Sequence, residues 1–557
     1  MRRLSSLGQL ALAASAASAC VALTLPAFAS NPLEYPDNGA AAFSRGGAWL
    51  ATATDPLAAH YNPAAMVTQG NGVSLDFLFA YNRVCYSRRN PGNQYTGPMQ
   101  STAPDTGAAA RYSPVCNEQT YQPRIIPSLG IVWRAADRLA FGFAVVAPAT
   151  YGSTPGEWPS VTEGKFGNGE RTTVPAPYRF MSVGNRSTIL HPTLSVGYEL
   201  AKGLRIGAGF IWSVAVIDVQ SFGMRTVYAD DRGDKSDVDS YSHLRTKDMF
   251  VPGAVAAIHW SATENFDAAI WGRWIDAIDS ENGSLDLLGE YYNTSQTTTN
   301  PVCLDQPQNC PTSGQAIRTH FGDDPDVFKQ FRFVATPPEV RAGIRFHMPR
   351  GNAPAVAATT RTIRDPLKDD LWDVELNGSY TLNSVADEIR VRFQGSPDGK
   401  AIHQVYPNGR LPPRADRFTG YKNSYGVRLG GQYNLVPEMF GVRAGGWYET
   451  AAADPEWLHI APVPAARGGF GGGVVYRVGA FDFSVGYQRH LSRPLDNKGR
   501  GALQVGAGTW QGDPEFSTQD PPPGQSKEQQ FRTFHAVNGG KVIQSAHVFT
   551  AGGVFRF

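Results

Sequence analysis

Hydrophobic and polar residues alternate along most of this chain. In stretches such as 204–210 and 340–347, every second position is apolar and the positions between are arginine, glycine or another polar residue. A period of two is the pattern of a β-strand with two unlike faces. Beyond residue 29, no run approaches the roughly 18 consecutive apolar residues of a transmembrane helix. The pattern therefore predicts an all-β chain whose strands are apolar on one face and polar on the other.

Fourteen segments follow this pattern. They are 72–83, 124–135, 138–149, 187–200, 203–219, 247–262, 264–279, 336–347, 371–393, 421–434, 440–449, 467–477, 480–490 and 546–557. Short turns alternate with long polar loops between them, except that the turn at 348–370 is long. Short periplasmic turns, long extracellular loops and an even strand number are typical of transmembrane barrels, which leave no strand edge in lipid. We therefore predict a fourteen-stranded antiparallel transmembrane β-barrel over residues 71–557, with both termini in the periplasm.

The two ends of the chain carry signals for export. Residues 1–29 combine Arg2 and Arg3 with an Ala/Leu-rich stretch and an Ala-Phe-Ala sequence, as a secretory signal peptide does. The alternative, a membrane anchor, suits this short and serine-interrupted stretch less well. At the other end, Phe555 and Phe557 share one face of the last strand, which resembles the signal that directs bacterial barrels to the barrel assembly machinery. We expect the protein in the bacterial outer membrane.

Composition narrows the class of protein further. A length of 557 residues would suit several soluble domains, but only 18% of the residues are charged and 59 are glycine. The formal net charge is +1, and removal of residues 1–29 takes away two arginines and no acid, which leaves −1. This balance argues against a nucleic-acid partner, which would require a strong basic footprint. One barrel with long loops accounts for the length.

Four cysteines remain after residue 29, and in an exported protein an even number suggests disulfides. Four cysteines allow three connectivities. We expect Cys85–Cys116 and Cys303–Cys310, because each pair lies within one polar, loop-like segment that the barrel places outside the cell. The spacing of cysteine and histidine does not suit a zinc site, and we expect no metal and no cofactor.

Residues 30–70 do not alternate. The stretch 38–49 is rich in glycine and alanine, and Asp55 or Thr54 is placed to cap a helix with Pro56 at its first position. A barrel of fourteen strands is wide enough to leak unless something fills it. We therefore predict that residues 30–70 are a compact plug of short helices in the barrel lumen.

The residues of this plug carry a family resemblance. The stretch 45–48 (Arg-Gly-Gly-Ala), then Asp55, then Asn62-Pro63-Ala64 ahead of the first strand, resembles the N-terminal hatch of the FadL/TodX family of outer-membrane transporters. Further resemblance lies in 126–130, 421–430 and 442–449, so it extends over nearly the whole chain after residue 29. It implies the same barrel and hatch, and passive uptake of long-chain fatty acids or other hydrophobic molecules.

The resemblance also implies roles for particular residues. Asn62, Pro63 and Ala64 match the hatch motif, which serves substrate passage in that family; an Asn-Pro turn that closes a helix is the structural alternative. An apolar substrate gains nothing from a water-filled pore, so capture at extracellular loops, passage by the hatch and lateral release into the bilayer would serve it better. We expect four aromatic residues to form the capture surface: Trp158, Phe166, Tyr178 and Phe180. The alternative is that they belong to the aromatic girdle of the barrel.

The third strand is the candidate for the lateral opening. It runs into Pro148, followed by Tyr151 and Gly152. Proline removes a ladder hydrogen bond and is confined to edges or bulges of sheets. We expect an inward kink here that opens the barrel wall, as in the resembling family. The alternative is that Pro148 merely ends the strand at a loop.

Arginines recur on the polar face of the strands. Five are candidates for binding the carboxylate of a fatty acid inside the lumen: Arg205, Arg341, Arg345, Arg428 and Arg443. Arginine supplies both the charge and the paired donors that a buried carboxylate requires. The alternative is that they pair with lumenal acids such as Asp373 and Glu449, or with the plug.

Three other function classes compete with transport, one of them a surface adhesin, which the long loops suggest. A barrel enzyme such as a lipase would require a nucleophile, but the sequence has no G-x-S-x-G element, and His191 and Ser195 are spaced unfavourably for a dyad. We therefore predict no catalytic residues. A general porin for small polar solutes is the third alternative, and an ordered plug argues against it. The expected partners are a hydrophobic small molecule, outer-membrane lipid with lipopolysaccharide, and the assembly machinery, with the protein a monomer.

Overall fold

The computed structural model describes residues 38–89, 111–112, 114–117, 124–147, 158, 161–165, 171–224, 238–291, 318–321, 327–351, 363–394, 404–405, 409–410, 416–503 and 538–557. Its main feature is a series of fourteen long strands. They are β1 Gly72–Arg88, β2 Arg124–Ala136, β3 Leu139–Val146, β4 Thr188–Ala201, β5 Leu204–Met224, β6 Val238–Ser261, β7 Phe266–Ile275, β8 Glu339–Pro349, β9 Asp370–Thr381, β10 Ser424–Val436, β11 Phe440–Glu449, β12 Arg467–Val478, β13 Phe481–Ser492 and β14 Gly540–Arg556.

These strands form a closed antiparallel barrel. Each pairs with the next in chain order. The last strand closes on the first, with a register that runs without interruption from Gly72 opposite Arg556 to Arg88 opposite Gly540. The predicted fourteen-stranded barrel is therefore confirmed. Closure leaves no strand edge unpaired along this seam, as a bilayer requires.

The two faces of the strands differ as the alternation predicts. On β8, Val340 and Ile344 are each 48% exposed, whereas Arg341 and Arg345 are buried. Leu194 and Phe470 are likewise exposed on the outer wall of the barrel. An outward apolar face and an inward polar face are the arrangement of a transmembrane barrel.

No helix in the described part of the chain is long and apolar enough to cross a membrane. The helices are all of one turn or little more: α1 Ala40–Phe43, α2 Ala58–Tyr61, α3 Pro366–Asp369, and the 3₁₀ helices Pro63–Thr68, Asn383–Ala386 and Pro455–Trp457. The helix expected to start at Pro56 begins instead at Ala58. Asp55 does not cap it, because its Oδ1 accepts a hydrogen bond from the Leu57 amide and closes the preceding turn.

Several strands extend further into the loops than predicted, such as Val238–Ser261 for 247–262, and three are shorter or divided. The third predicted strand ends at Val146, earlier than expected. The segment 371–393 is not one strand: β9 ends at Thr381, and Glu388–Phe393 pairs with Phe328–Phe333 in a separate sheet above the barrel. Similarly, 264–279 divides into β7 and a short strand in that same sheet. Period-two alternation continues through these breaks, so it could not reveal where the pairing partner changes.

The loops contribute further short strands. Ile278–Ser280, Phe328–Phe333, Glu388–Phe393 and Arg417–Phe418 form the sheet above the barrel; Val115–Cys116, Gly184–Asn185, Gly283–Tyr291, Arg318–Phe321 and Leu495–Asp496 extend the barrel sheet; Arg111–Tyr112, Val161–Lys165 and Arg171–Pro175 form a third sheet; Gln404–Val405 and Gly409–Arg410 form a hairpin. The predicted Cys85–Cys116 disulfide is present and joins β1 to one of these strands. Cys303 and Cys310 lie outside the described residues.

Candidate functional site in the barrel lumen

The N-terminal segment, residues 38–69, lies against the inward face of the barrel. It is held there through its own backbone: Glu375 accepts hydrogen bonds from the amides of Ala51 and Thr52 at 2.8 and 2.9 Å. Inward side chains bond this backbone in two ways: Asp76 and Glu375 accept from its amides, and five others donate to its carbonyls, namely Ser195, His259, Trp271, Asn377 and Gln488. They come from β1, β4, β6, β7, β9 and β13. Buried backbone groups require partners, and the polar face of the barrel supplies them from all around the lumen.

Glycines on the inward face let the segment approach closely. A Cβ built on Gly207 would lie 2.3 Å from the Ala64 nitrogen, and one on Gly197 would lie 2.4 Å from the Pro63 oxygen. On the opposite wall, a Cβ on Gly430 would lie 1.9 Å from the Arg45 oxygen. No side chain fits at these three positions while the segment remains in place.

The predicted hatch motif lies at the centre of this contact. Asn62 is fully buried; its Oδ1 accepts a hydrogen bond from the Ala65 amide, and its Nδ2 donates to the Leu50 carbonyl at 2.8 Å. Pro63 starts the 3₁₀ helix that follows, and Ala64 is fully buried. The Asn-Pro turn both closes one helix and starts the next: the Asn62 amide donates to the Ala58 carbonyl at the end of α2, and Pro63 begins the 3₁₀ helix. Asn62 also joins two parts of the segment, so the motif fixes the segment's shape.

A buried ionic cluster fastens the segment to β8 and β9. Arg45 of the segment lies 2.5 Å from Asp373, which Arg345 also contacts at 2.9 Å. Arg345 further contacts Asp370 and Asp267. A third arginine, Arg364, contacts Asp267 at 2.7 Å. Glu375 lies 3.9 Å from Arg45, and His347 contacts Asp267 and Asp370. Pairing with groups of opposite charge is the condition for retaining buried charges in a low-dielectric interior.

Arg364 comes from the long turn at 348–370 that broke the predicted pattern. Its amide donates to the carbonyl of Thr68 at the end of the segment, while its guanidinium lies against Asp267 on β7. The following helix α3 is held by Asn434, which donates to the Pro366 carbonyl. The described end of this turn, from residue 363, therefore lies against the end of the segment. Sequence reasoning missed Arg364, although the unusual length of the turn was a signal.

The five candidate arginines meet different partners. Four lie within 4 Å of a lumenal carboxylate: Arg205 with Glu199, Arg341 with Glu339, Arg345 as described, and Arg428 with Glu449. Arg443 instead donates to Gln432 and Ser484. For four of the five, internal pairing thus accounts for the arginine. Their predicted contact with a ligand stays a prediction, and Arg443 is the better candidate.

Asp55 is an ionisable group of the segment with an unusual environment. Burial, and then the charge of Asp76, raise the pKa of Asp55 from 3.8 to about 7. The Leu57 amide and the guanidinium groups of Arg443 and Arg556 act in the opposite direction, with smaller effect. The carboxyl group thus keeps its proton to near-neutral pH while the segment is docked.

An apolar cluster extends from the segment to the extracellular loops. It joins Leu50, Ala51 and Ala64 to the inner wall and to the sheet above the barrel. Its wall and loop members include Ile211, Ile217, Val251, Val255, Trp271, Ile275, Phe328, Phe331, Phe333 and Phe393. Buried apolar surface is therefore continuous from the loops down to the hatch motif.

Histidines lie where this cluster meets the segment. His60 Nδ1 is 2.9 Å from Thr193 Oγ1, and the ring lies parallel to that of His191 at 6.3 Å. Burial, followed by the charge of Arg273, holds the pKa of His60 well below its ordinary value, so the ring is neutral. Its Nε2 is buried and, among the described residues, has no hydrogen-bond partner. Sequence patterns gave no signal for His60, because it lies in the segment that does not alternate.

Two expectations about the loops have different outcomes. Trp158, Tyr178 and Phe180 were expected at a capture surface, but all three are buried in an apolar cluster with Leu458 and Val542, so they are core residues of the loops. Phe166 lies outside the described residues. So do Pro148, Tyr151 and Gly152, which were expected to kink the third strand.

Solved structures of low sequence identity share this architecture. The chain resembles a FadL homologue of Pseudomonas aeruginosa, with a TM-score of 0.58, 14% identity, and coverage of 96% of this chain and 100% of that one. This chain has the FadL/TodX barrel fold. The toluene transporter TodX of Pseudomonas putida gives a TM-score of 0.52 at 12% identity, with 95% and 99% covered. No protein-family model and no curated protein matches the sequence.

The comparison confirms the resemblance found in the sequence at the level of the fold. Together with the outward apolar face, it identifies a multi-strand protein of the bacterial outer membrane.

Proposed function

We propose that this protein carries hydrophobic small molecules passively across the outer membrane, with residues 38–69 as the hatch. The observation that carries the proposal is the apolar cluster that continues from the extracellular loops to Ala64. A path for apolar solutes must offer apolar surface where a porin would offer water. The similar structures include a toluene transporter, and this supports the same class of substrate.

Uptake measurements test this proposal directly. A host that lacks its own transporter would express the chain and receive labelled oleate or toluene, which also separates fatty acids from hydrocarbons as substrates. Asn62→Ala removes two hydrogen bonds that shape the hatch, each contributing about 1 kcal/mol, and should reduce uptake several-fold. Asn265→Ala, which removes a bond at a turn, is the matched control. Normal uptake by a folded Asn62→Ala barrel would defeat the hatch assignment.

The alternatives find less support. For a lipase, Ser195 would have to serve as nucleophile, but its hydroxyl donates to the Ala59 carbonyl, and His191 Nδ1 is paired with Ser213 instead. We therefore propose transport without catalysis. For a general porin, large ion conductance in planar bilayers would be expected, and a hatch bonded to the barrel on many sides predicts small conductance.

We further propose that substrate leaves sideways beside β3. The described part of β3 is short, and its neighbours extend past it: β2 pairs with β1 from Arg124 but with β3 only from Leu129. On the other side, β4 pairs with β5 from Thr188 but with β3 only from His191. Within the described ranges, the pairing of β3 thus ends before that of its neighbours at the extracellular end, which supports an opening at this place, called the notch below.

A cross-link across the notch tests lateral release. Leu129 on β2 and Pro192 on β4 are both opposite Val145 on β3. Three residues nearer the extracellular end of the same two strands are Ile126 and Ile189. Two strand spacings, about 10 Å, separate these two residues. Joining Ile126→Cys to Ile189→Cys with a rigid bis-maleimide of that length should block uptake. The matched pair Ile211→Cys and Ile275→Cys spans a strand that is present, because both residues are opposite Gly253. Equal uptake with both cross-links would refute lateral release.

A further inference from the structure

One buried polar ring lies where two apolar clusters of the lumen meet. His60 is fully buried in the segment 38–69, and its ring packs against Trp271, a member of the cluster that extends to the extracellular loops. The ring also packs edge-on against Tyr61, which belongs to a second apolar cluster that includes Val146 at the end of β3. The proposed path from the loops to the notch beside β3 therefore includes His60.

The hydrogen bonds around His60 assign its proton to one ring nitrogen. Thr193 Oγ1 lies 2.9 Å from His60 Nδ1 and 3.2 Å from the carbonyl oxygen of His191. A carbonyl oxygen only accepts, so the single hydroxyl proton of Thr193 is donated to it, and His60 Nδ1 then donates to the hydroxyl oxygen. Because burial holds the pKa of His60 well below its ordinary value, the ring has no second proton. Its Nε2 is therefore a hydrogen-bond acceptor.

The groups around His60 do not satisfy this acceptor. Nε2 is buried and has no hydrogen-bond partner in the part of the chain that the structure describes. The Trp271 indole donates to the backbone carbonyl of His60 at 2.9 Å, and not to the ring. The parallel ring of His191 lies 2.8 Å from Ser213 Oγ through its Nδ1. An unsatisfied buried acceptor costs free energy, so a ligand that supplies a donor to Nε2 is favoured at this point of the path.

We propose that His60 Nε2 binds the hydroxyl group of an aromatic substrate, so that phenols are a substrate class of this protein. The rings of Tyr61, His191 and Trp271 lie 4.9, 6.3 and 6.3 Å from the His60 ring, and they offer aromatic surface to such a molecule. An undissociated phenol carries no charge and donates one hydrogen bond, whereas a carboxylate has no proton to donate. The site rests on the proposed function and refines its substrate class.

Two ligands of similar size test the site on the purified full-length barrel. p-Cresol is p-xylene with one methyl group replaced by a hydroxyl group, and titration calorimetry would measure the Kd of both. His60→Phe keeps an aromatic ring but loses the acceptor. The ratio of the p-cresol Kd to the p-xylene Kd should therefore rise about tenfold in this variant, which corresponds to the loss of one hydrogen bond.

Two further variants separate the acceptor from the shape of the site. His60→Gln supplies an amide oxygen as acceptor and should return the ratio to within threefold of the wild type. His490→Phe is the matched control, because His490 is a buried histidine beside Phe43 of the segment whose Nε2 already lies 2.9 Å from Gln488. This control should leave the ratio unchanged.

Nitrogen-15 NMR of the histidine-labelled barrel gives a readout that a merely structural role of His60 would not change. The signal of His60 Nε2, identified by its loss in His60→Phe, should be that of an unprotonated ring nitrogen. p-Cresol should shift this signal, and p-xylene should not.

Two results would overturn the proposal. One is an equal ratio of affinities in the wild type and His60→Phe while p-xylene is still bound. The other is a protonated Nε2, or an Nε2 signal that p-cresol leaves in place, as expected where a water molecule occupies the acceptor. A wild-type barrel that binds neither ligand would contradict the proposed function together with this site, so the two failures are distinguishable.

Discussion

The contact between Arg45 and Asp373 gives a quantitative test of how the segment 38–69 is held. Arg45→Met would remove the positive charge that lies 2.5 Å from Asp373 and 3.9 Å from Glu375, so that the buried acids lose part of their compensation. Removing one partner from a buried ion pair costs about 3–5 kcal/mol. Asp373 keeps Arg345 at 2.9 Å, so we expect the lower end, about 3 kcal/mol.

This cost should be visible as undocking of the segment. A factor of ten corresponds to about 1.4 kcal/mol, so the undocked population should rise about 100-fold. The amides of Ala51 and Thr52 report on docking, because both donate to Glu375 on the barrel wall. Their hydrogen exchange, followed by mass spectrometry of the barrel in detergent, should accelerate by the same factor.

The second variant separates charge balance from lost packing. Arg45→Met combined with Asp373→Asn removes one positive and one negative charge, so the net charge of the cluster returns to that of the wild type. The effect of the double variant should therefore be smaller than the sum of the two single effects, by about 2 kcal/mol. Arg245→Met is the control, since that arginine is 44% exposed in its pair and such pairs contribute about 0–1 kcal/mol. Exchange within threefold of the wild type for Arg45→Met, or additive single effects, would refute the reasoning.

Three further predictions concern other parts of the molecule. Cys85→Ser should lower the free energy of unfolding in urea by about 3–4 kcal/mol at most, because the disulfide closes a loop of 31 residues. Gly207→Val should displace the hatch and abolish uptake, whereas Gly378→Ala, where a Cβ meets nothing within 4 Å, should leave uptake unchanged. Docking of the segment should weaken as pH rises from about 4 to about 7, because the docked Asp55 holds its proton and the undocked one does not, and its strength should stay constant above that range. Planar-bilayer conductance should rise over the same pH range. Asp55→Asn should remove this pH dependence.

The fold could be predicted because each strand carries its own evidence. Alternation marks strands locally, and strands that pair in chain order need no further information to close into a barrel. Alternation could not predict pairing between strands that are not consecutive in the chain. Glu388–Phe393, for example, pairs with Phe328–Phe333, although β8 and β9 lie between them in sequence. The early end of β3 was missed for a similar reason, since Ala147 continues the apolar pattern without pairing.

The lumenal site was predictable only in part. The sequence placed Asn62-Pro63-Ala64 ahead of β1 and the arginines on the polar face of the strands, and the structure has them there; their roles stay predictions. The partners of the arginines could not be predicted, because the acid that each one contacts depends on the strand register and on the path of the segment 38–69. Arg205 shows this well: it meets Glu199 across the turn between β4 and β5, together with His259 and Ser261 on β6.

The distribution of polarity in the lumen bears on what can pass through it. Four of the five candidate arginines lie against acids of the barrel, and Glu375 is occupied by the backbone of the segment. The polar groups thus hold the segment 38–69 in place, and the continuous cluster beside them is apolar. A substrate without charge needs no counter-charge along such a route. Toluene should therefore be taken up at least as readily as oleate. A strict requirement for a carboxylate on the substrate would contradict this and would favour Arg443 as its partner, because Arg443 donates to Gln432 and Ser484 rather than to an acid.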